Sequence, residues 1–176
     1  AVNIPEVILI EPTVFEDERG FFFESFNEAS FKKSLNLDIK FIQDNHSKSS
    51  KGVLRGLHFQ TDPFAQAKLV RVVHGEIFDV AVDLRKNSKN FGKWVGEIIS
   101  DKNKRQLWIP EGFAHGFITL SDSADVIYKT NNYYNKDSEQ CLVWDDDVVN
   151  IDWPIHNDLI LSEKDKLGKN LLELDL

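Results

Sequence analysis

The sequence predicts a mainly β domain, a sandwich or barrel, with a few short helices at its ends. Three observations carry this. Apolar residues recur mostly with a period of two. The apolar segments are short and closely spaced, with turn residues between them. Helical signals are confined to one place near each end.

A first strand is expected over residues 7–10 and a second over 20–26. In the second, Phe21, Phe22 and Phe23 follow one another and must point to both faces. At least one then enters a core, and another is free for a ligand or a dimer interface. A helix over Glu28–Leu35 is capped by Asn27, with Phe31 and Leu35 one turn apart. Strands follow over 40–44, 52–59 and 68–73. His74-Gly75 reads as a tight turn into a strand over 77–84. In that strand Phe78, Val80, Val82 and Leu84 fall on one face, and Ile77, Asp79, Ala81 and Asp83 on the other. Further strands are expected over 93–99, 106–109, 116–120, 124–128 and 141–144. A last short helix starts at Glu163, with Ser162 as its cap and Gly168 as its stop.

The 176 residues make one domain, 1–176, with no internal repeat and no linker-like stretch. At 41% hydrophobic and 28% charged residues, the chain can bury a core and is not a disordered one. No apolar run reaches membrane length, and the N-terminus lacks the basic start of a signal peptide. The lone cysteine, Cys141, cannot form an intramolecular disulfide, so a cytoplasmic setting is expected. A net charge of −8 argues against nucleic acid or an anionic membrane as partner. A small anion in a locally basic pocket remains compatible with it.

The densest polar stretch is Gln43-Asp44-Asn45-His46-Ser47, followed by Gly52–Gln60 and then Lys68. Strict alternation puts Val53, Arg55, Leu57 and Phe59 on one face, and Leu54, Gly56, His58 and Gln60 on the other. If both strands belong to one barrel, His58 and Lys68 project into one cavity. Otherwise they stand exposed on a surface strand. Pro110-Glu111-Gly112-Phe113-Ala114-His115 fits the second cupin motif, Pro-x-Gly-x-x-His. The first motif of metal-binding cupins supplies His-x-His, but here stands His58-Phe59-Gln60. Too few ligands remain for a divalent centre, so a barrel without metal is expected. His115 then hydrogen-bonds within the barrel. His46, His74 and His156 have no motif around them.

Seven segments in one order carry a closer resemblance. They are Asp17-Glu18-Arg19-Gly20-Phe21, Gln43-Asp44-Asn45-His46-Ser47, Gly52-Val53-Leu54-Arg55-Gly56-Leu57-His58, Lys68-Leu69-Val70-Arg71-Val72, Gly75–Val80, Arg105–Gly116 and Leu161-Ser162-Glu163-Lys164-Asp165. Together they resemble the dTDP-4-dehydrorhamnose 3,5-epimerase family from about Pro5 to Gly168. The resemblance implies a double-stranded β-helix, a cupin-like jelly roll, working as a homodimer without metal or organic cofactor. It implies inversion of C3 and C5 of dTDP-4-keto-6-deoxy-glucose. It matches the family's base and its carboxylate to His58 and Asp165, its tyrosine acid to Tyr128 and its lysine to Lys68. Substrate contacts match Arg19, Glu24, Gln43, Asn45, Arg55, His115 and Tyr134, and Phe21 beside Arg19 is a candidate to stack on the ligand.

These residue types suit that chemistry. A proton next to a ketone leaves only if the enolate oxygen is stabilised, and a lysine can do this. Histidine is neutral and basic near pH 7, and a carboxylate on its other nitrogen orients it. Inversion needs a second group on the opposite face, and a phenol serves. Arginines suit the diphosphate, and amides suit thymine. The alternatives are a 3- or 5-monoepimerase, an epimerase for another 4-keto sugar nucleotide, or a non-catalytic sugar-nucleotide-binding cupin.

Overall fold

A computed structural model describes residues 4–176. Two five-stranded antiparallel sheets face each other. The first contains β1 (Ile8–Ile10), β9 (Gln106–Ile109), β6 (Lys68–His74), β11 (Ser123–Thr130) and β4 (Gln43–Ser50), in that order. The second contains β12 (Glu139–Cys141), β5 (Leu54–Gln60), β10 (Phe113–Thr119), β7 (Glu76–Asp83) and β8 (Trp94–Ser100). A separate hairpin pairs β2 (Phe15–Asp17) with β3 (Gly20–Phe22).

Three apolar layers follow from the alternation. Between the sheets, Val70, Val72, Leu107, Ile109 and Val126 of the first meet Ile77, Ala81, Phe113 and Phe117 of the second. The outer face of the second sheet carries Leu54, Leu57, Val80, Val82 and Ile118, covered by Leu142, Trp153 and Leu171 of the C-terminal segment. The outer face of the first sheet carries Leu69 and Trp108, covered by α1 (Glu28–Leu35) through Phe31. Phe31 meets Phe41 and Trp108 edge-on, and its burial is worth roughly 1.5–3 kcal/mol.

The capping signals locate α1 correctly. Asn27 accepts a hydrogen bond from the backbone N–H of Ser30, and Asn36 ends the helix in the left-handed region at φ 51°. In α2 (Glu163–Lys166), Ser162 accepts from the backbone N–H of Asp165, but the helix ends at Leu167, one residue before Gly168.

Some expectations differ from the fold. His74-Gly75 does not close a hairpin: β6 and β7 lie in opposite sheets, so the turn carries the chain across the sandwich. The strand expected over 40–44 runs instead over Gln43–Ser50. Both of its faces are polar, so apolar alternation could not reveal it. The strand expected over 20–26 stops at Phe22, and its hairpin partner β2 went unpredicted. The strand over 116–120 begins earlier, at Phe113, and the one over 141–144 ends at Cys141. Among the described residues no helix is long and apolar enough to cross a membrane.

Candidate active site

One irregularity in β5 builds the site. On β10, His115 stands opposite His58, but Phe117 stands opposite Arg55. Gly56 and Leu57 together therefore oppose Gly116 alone, which is a β-bulge. The extra residue reverses the parity. Arg55, His58 and Gln60 face the space between the sheets, while Leu54, Leu57 and Phe59 join the core on the other side. Strict alternation had set Arg55 on the face opposite His58, and the bulge corrects this.

The space is a cavity of about 280 Å³. Its floor and walls include His58, Arg55 and Gln60 from β5, Lys68 from β6, His115 and Phe117 from β10, and Tyr128 from β11. Gln43, Asn45 and Ser47 enter from the inward face of β4, so the polar alternation of that strand supplies the site rather than a core. Tyr134 and Glu139 line the mouth.

His58 is 31% exposed at its side chain, and its Nε2 lies 2.5 Å from Oδ1 of Asp165. Asp165 is buried at the start of α2, where its Oδ2 accepts from the Ser162 hydroxyl at 2.8 Å. Burial raises the Asp165 pKa, but the bonds from His58 and Ser162 outweigh it and hold the carboxyl below its ordinary value. The carboxylate is thus ionised where it meets the imidazole.

Lys68 is buried, and its Nζ donates to the backbone carbonyl of His58 at 3.1 Å. Burial pushes its pKa down to about 8, against the pull of Asp79 and Glu139 in the other direction. Burial also raises the Tyr128 pKa, which keeps the phenol protonated. His115 is buried with Nε2 2.7 Å from Oδ1 of Asp79, itself fully buried. The expected bond within the barrel is therefore present, and its ring still lines the cavity. Burial lowers the His115 pKa and outweighs the nearby Asp79.

Arg55 donates to the Ser49 hydroxyl at 2.9 Å and to the Lys48 carbonyl at 3.2 Å, both neutral acceptors. Its charge is left for an anion. Gln43 donates to Asn45 at 3.1 Å and accepts from the backbone N–H of Tyr134 at 3.1 Å, which ties β4 to the mouth.

Of the candidate residues, His58, Lys68, Tyr128, Gln43, Asn45, Arg55, His115 and Tyr134 all line this one cavity, with Asp165 behind His58. Arg19, Phe21 and Glu24 do not. Arg19 and Phe21 lie on the β2–β3 hairpin, and Glu24 lies beside α1. Among the described residues Arg19 pairs with Asp17 of its own hairpin and with no other carboxylate.

The model of the family described as dTDP-4-dehydrorhamnose 3,5-epimerase matches residues 1–173. The chain belongs to the dTDP-4-dehydrorhamnose 3,5-epimerase family. It is 59% identical over 173 residues to the dTDP-4-dehydrorhamnose 3,5-epimerase of Shigella flexneri, covering 98% of this chain and 95% of that one. Against the Escherichia coli enzyme of the same name it is 58% identical over 172 residues, with coverages of 98% and 93%. Among solved structures, a dTDP-6-deoxy-D-glucose-3,5-epimerase from Legionella pneumophila holds dTDP-4-keto-L-rhamnose. It superposes with a TM-score of 0.96 at 50% identity, covering 99% of this chain and 92% of that one. The double-sheet jelly roll expected for the family is the fold of this chain.

In the epimerase cavity two of the cupin-motif side chains are already engaged by the protein. His115 Nε2 is engaged by Asp79, and the Gln60 amide donates to the carbonyls of Phe64 at 2.6 Å and Tyr133 at 3.1 Å. Sequence reasoning missed Glu139, which accepts from the Tyr134 hydroxyl at 2.9 Å and pairs with Lys164. It also missed Asp79 as the partner of His115. The Asp79 signal was available: a carboxylate on the apolar face of a buried strand needs a partner. For Glu139, on a three-residue strand, there was no comparable signal.

Proposed function

We propose that this epimerase inverts C3 and C5 of dTDP-4-keto-6-deoxy-D-glucose with His58 as the base for both proton removals. The 2.5 Å His58–Asp165 contact at the cavity wall carries the reading. With its hydrogen on Nε2 donated to Asp165, the imidazole offers Nδ1 to a substrate C–H. The ionised carboxylate stabilises the imidazolium once the proton arrives. Lys68 spends one N–H on the His58 carbonyl and has two left for the ketone oxygen, where charge develops in the enolate.

Tyr128, kept protonated by burial, returns a proton to the opposite face. His115, oriented by Asp79, contacts the sugar. Arg55 binds the diphosphate, and Gln43 and Asn45 recognise thymine. Tyr134, held by Glu139, closes over the mouth. The route calls for no metal and no organic cofactor. A lone thiol and a nucleotide-sugar substrate suit a cytoplasmic setting.

The same reading requires a homodimer. Phe15, Phe21 and Phe22 on the hairpin are 62%, 56% and 68% exposed, an apolar patch that a partner would cover. A hairpin crossing to the second subunit would carry Arg19 and Phe21 to the partner's cavity, with Glu24 following at its base, and there Arg19 adds a second cation for the diphosphate.

The deciding experiment follows dTDP-4-keto-6-deoxy-D-glucose by NMR in D2O. Deuterium is expected at both C3 and C5 with inversion at each. His58→Asn is expected to slow both by roughly 10²–10⁴. Near-normal exchange in that variant would remove His58 from the role of base, and exchange at one carbon only would favour a monoepimerase.

A further inference from the structure

Behind His58 lies a thiol for which the reaction has no use. Cys141 stands directly opposite His58 in the β5–β12 pairing. Opposed side chains on antiparallel strands have Cβ atoms only about 4.5–5.5 Å apart. Asp165 approaches the same spot from α2. One ligand atom each from His58, Cys141 and Asp165 lie within 4.8 Å of one another. Among the described residues the Cys141 sulfur makes only weak contacts, such as that to the Leu142 carbonyl at 3.6 Å.

We propose that His58, Cys141 and Asp165 form a latent inhibitory site for zinc or another thiophilic divalent cation. One imidazole nitrogen, one sulfur and one carboxylate oxygen make a donor set that suits Zn²⁺ and not Mg²⁺. Bond lengths of about 2.0–2.3 Å put the donors of a tetrahedral ion roughly 3.4–3.6 Å apart. Small side-chain movements reach this from the present spacing. Three protein ligands leave the fourth position to water.

Seating the ion releases two protons to solvent, one from His58 Nε2 and one from the thiol, with no change of oxidation state. Burial holds the Cys141 pKa up to about 12, so the free site keeps its thiol and the ion must displace that proton. The cation then replaces the Asp165–imidazole hydrogen bond. Its positive charge on the ring opposes proton uptake at the other nitrogen. The inhibition, though not the binding, rests on His58 being the base.

Co²⁺ and Zn²⁺ added to the purified dimer or monomer test this. With Co²⁺, the wild type is expected to develop a thiolate-to-cobalt charge-transfer band saturating at one ion per chain. Cys141→Ala and Cys141→Ser should lack the band. Zn²⁺ should inhibit the wild type, with activity restored by EDTA. The Cys141 variants should keep metal-free turnover within about twofold. They should also need at least about tenfold more Zn²⁺ for half-inhibition, the lower end of what even an outer-sphere change costs a metal site. Absence of the cobalt band in the wild type overturns the site, and this readout stands even if both variants misfold. Equal zinc sensitivity in active Cys141 variants overturns it too. A cobalt band with undiminished turnover would keep the site but overturn both the inhibition and His58 as base.

Discussion

Gly56 and Gly116 meet back to back where β5 carries its extra residue. A Cβ on Gly56 would stand 2.5 Å from Gly116 Cα and 2.8 Å from the His115 carbonyl oxygen. Gly56 also sits at φ 125°, a conformation that side chains rarely adopt. The bulge that turns Arg55 and His58 into one cavity therefore depends on an absent side chain at this point.

Gly56→Ala should lose stability by about 1–3 kcal/mol from backbone strain, with the clash adding to it. Turnover should fall more steeply than stability, because His58 moves with the bulge. Urea midpoints and kcat, measured together, check this. An unchanged midpoint would mean that the two strands separate at little cost.

Tyr128→Phe should separate the two halves of the reaction. The base, its carboxylate and Lys68 remain, so solvent deuterium still enters C3 or C5. Inversion at one or both carbons should slow, since the stereospecific donor is gone. NMR that resolves exchange from epimerisation reads this. If both fall together to the His58→Asn level, Tyr128 acts in proton removal or positioning instead. If neither changes, it is only a packed aromatic.

Lys68 links activity and stability to pH in opposite senses. Its native pKa of about 8 lies below the ~10.4 of an unfolded lysine. Between those values the unfolded chain holds more protons, so this residue's contribution to stability rises with pH across that window and is least favourable below it. Turnover should do the reverse and fall above pH 8, where the neutral amine stabilises the enolate less. Lys68→Met should abolish that alkaline limb and lower kcat by roughly 10²–10³. It should also gain stability relative to wild type at pH 7, a gain that shrinks toward pH 10. A pH profile of kcat in Lys68→Met that still shows the limb would assign it to another group.

The hairpin supplies a test of assembly. Wild type should sediment as a dimer at micromolar concentration, and the Phe21→Ser, Phe22→Ser double variant should shift toward monomer. Turnover should fall with it, although no wall of the cavity has been touched. A monomeric wild type with full activity would rule out a site shared between subunits.

Much of this protein was legible in its residues. Period-two alternation in β7 assigned Phe78, Val80 and Val82 to one core and Ile77 and Ala81 to the other, as the layers require. Asn27 and Ser162 marked both helix starts. Motifs in register contained Gln43, Asn45, Arg55, His58, Lys68 and His115, which meet in one cavity, and Asp165 behind His58, while Tyr128 and Tyr134 were named only by the family resemblance. These features are local: each depends on spacing along the chain or on a side chain's own chemistry.

What tertiary structure alone decided are the relations between strands. The slip opposite Gly116 decided that Arg55 faces the cavity, because register is a property of two strands and not of one. The crossing at His74-Gly75 decided that β6 and β7 lie in opposite sheets instead of pairing side by side. Polar β4 became a wall because a cavity rather than a core waits on its inner face. His115 with Asp79, Tyr134 with Glu139 and His58 with Cys141 are pairs that no sequence spacing announces. His115 with Asp79 and His58 with Cys141 join strands far apart in the chain that become neighbours only through pairing within the second sheet, whereas Tyr134 and Glu139, five residues apart, meet where the chain enters β12.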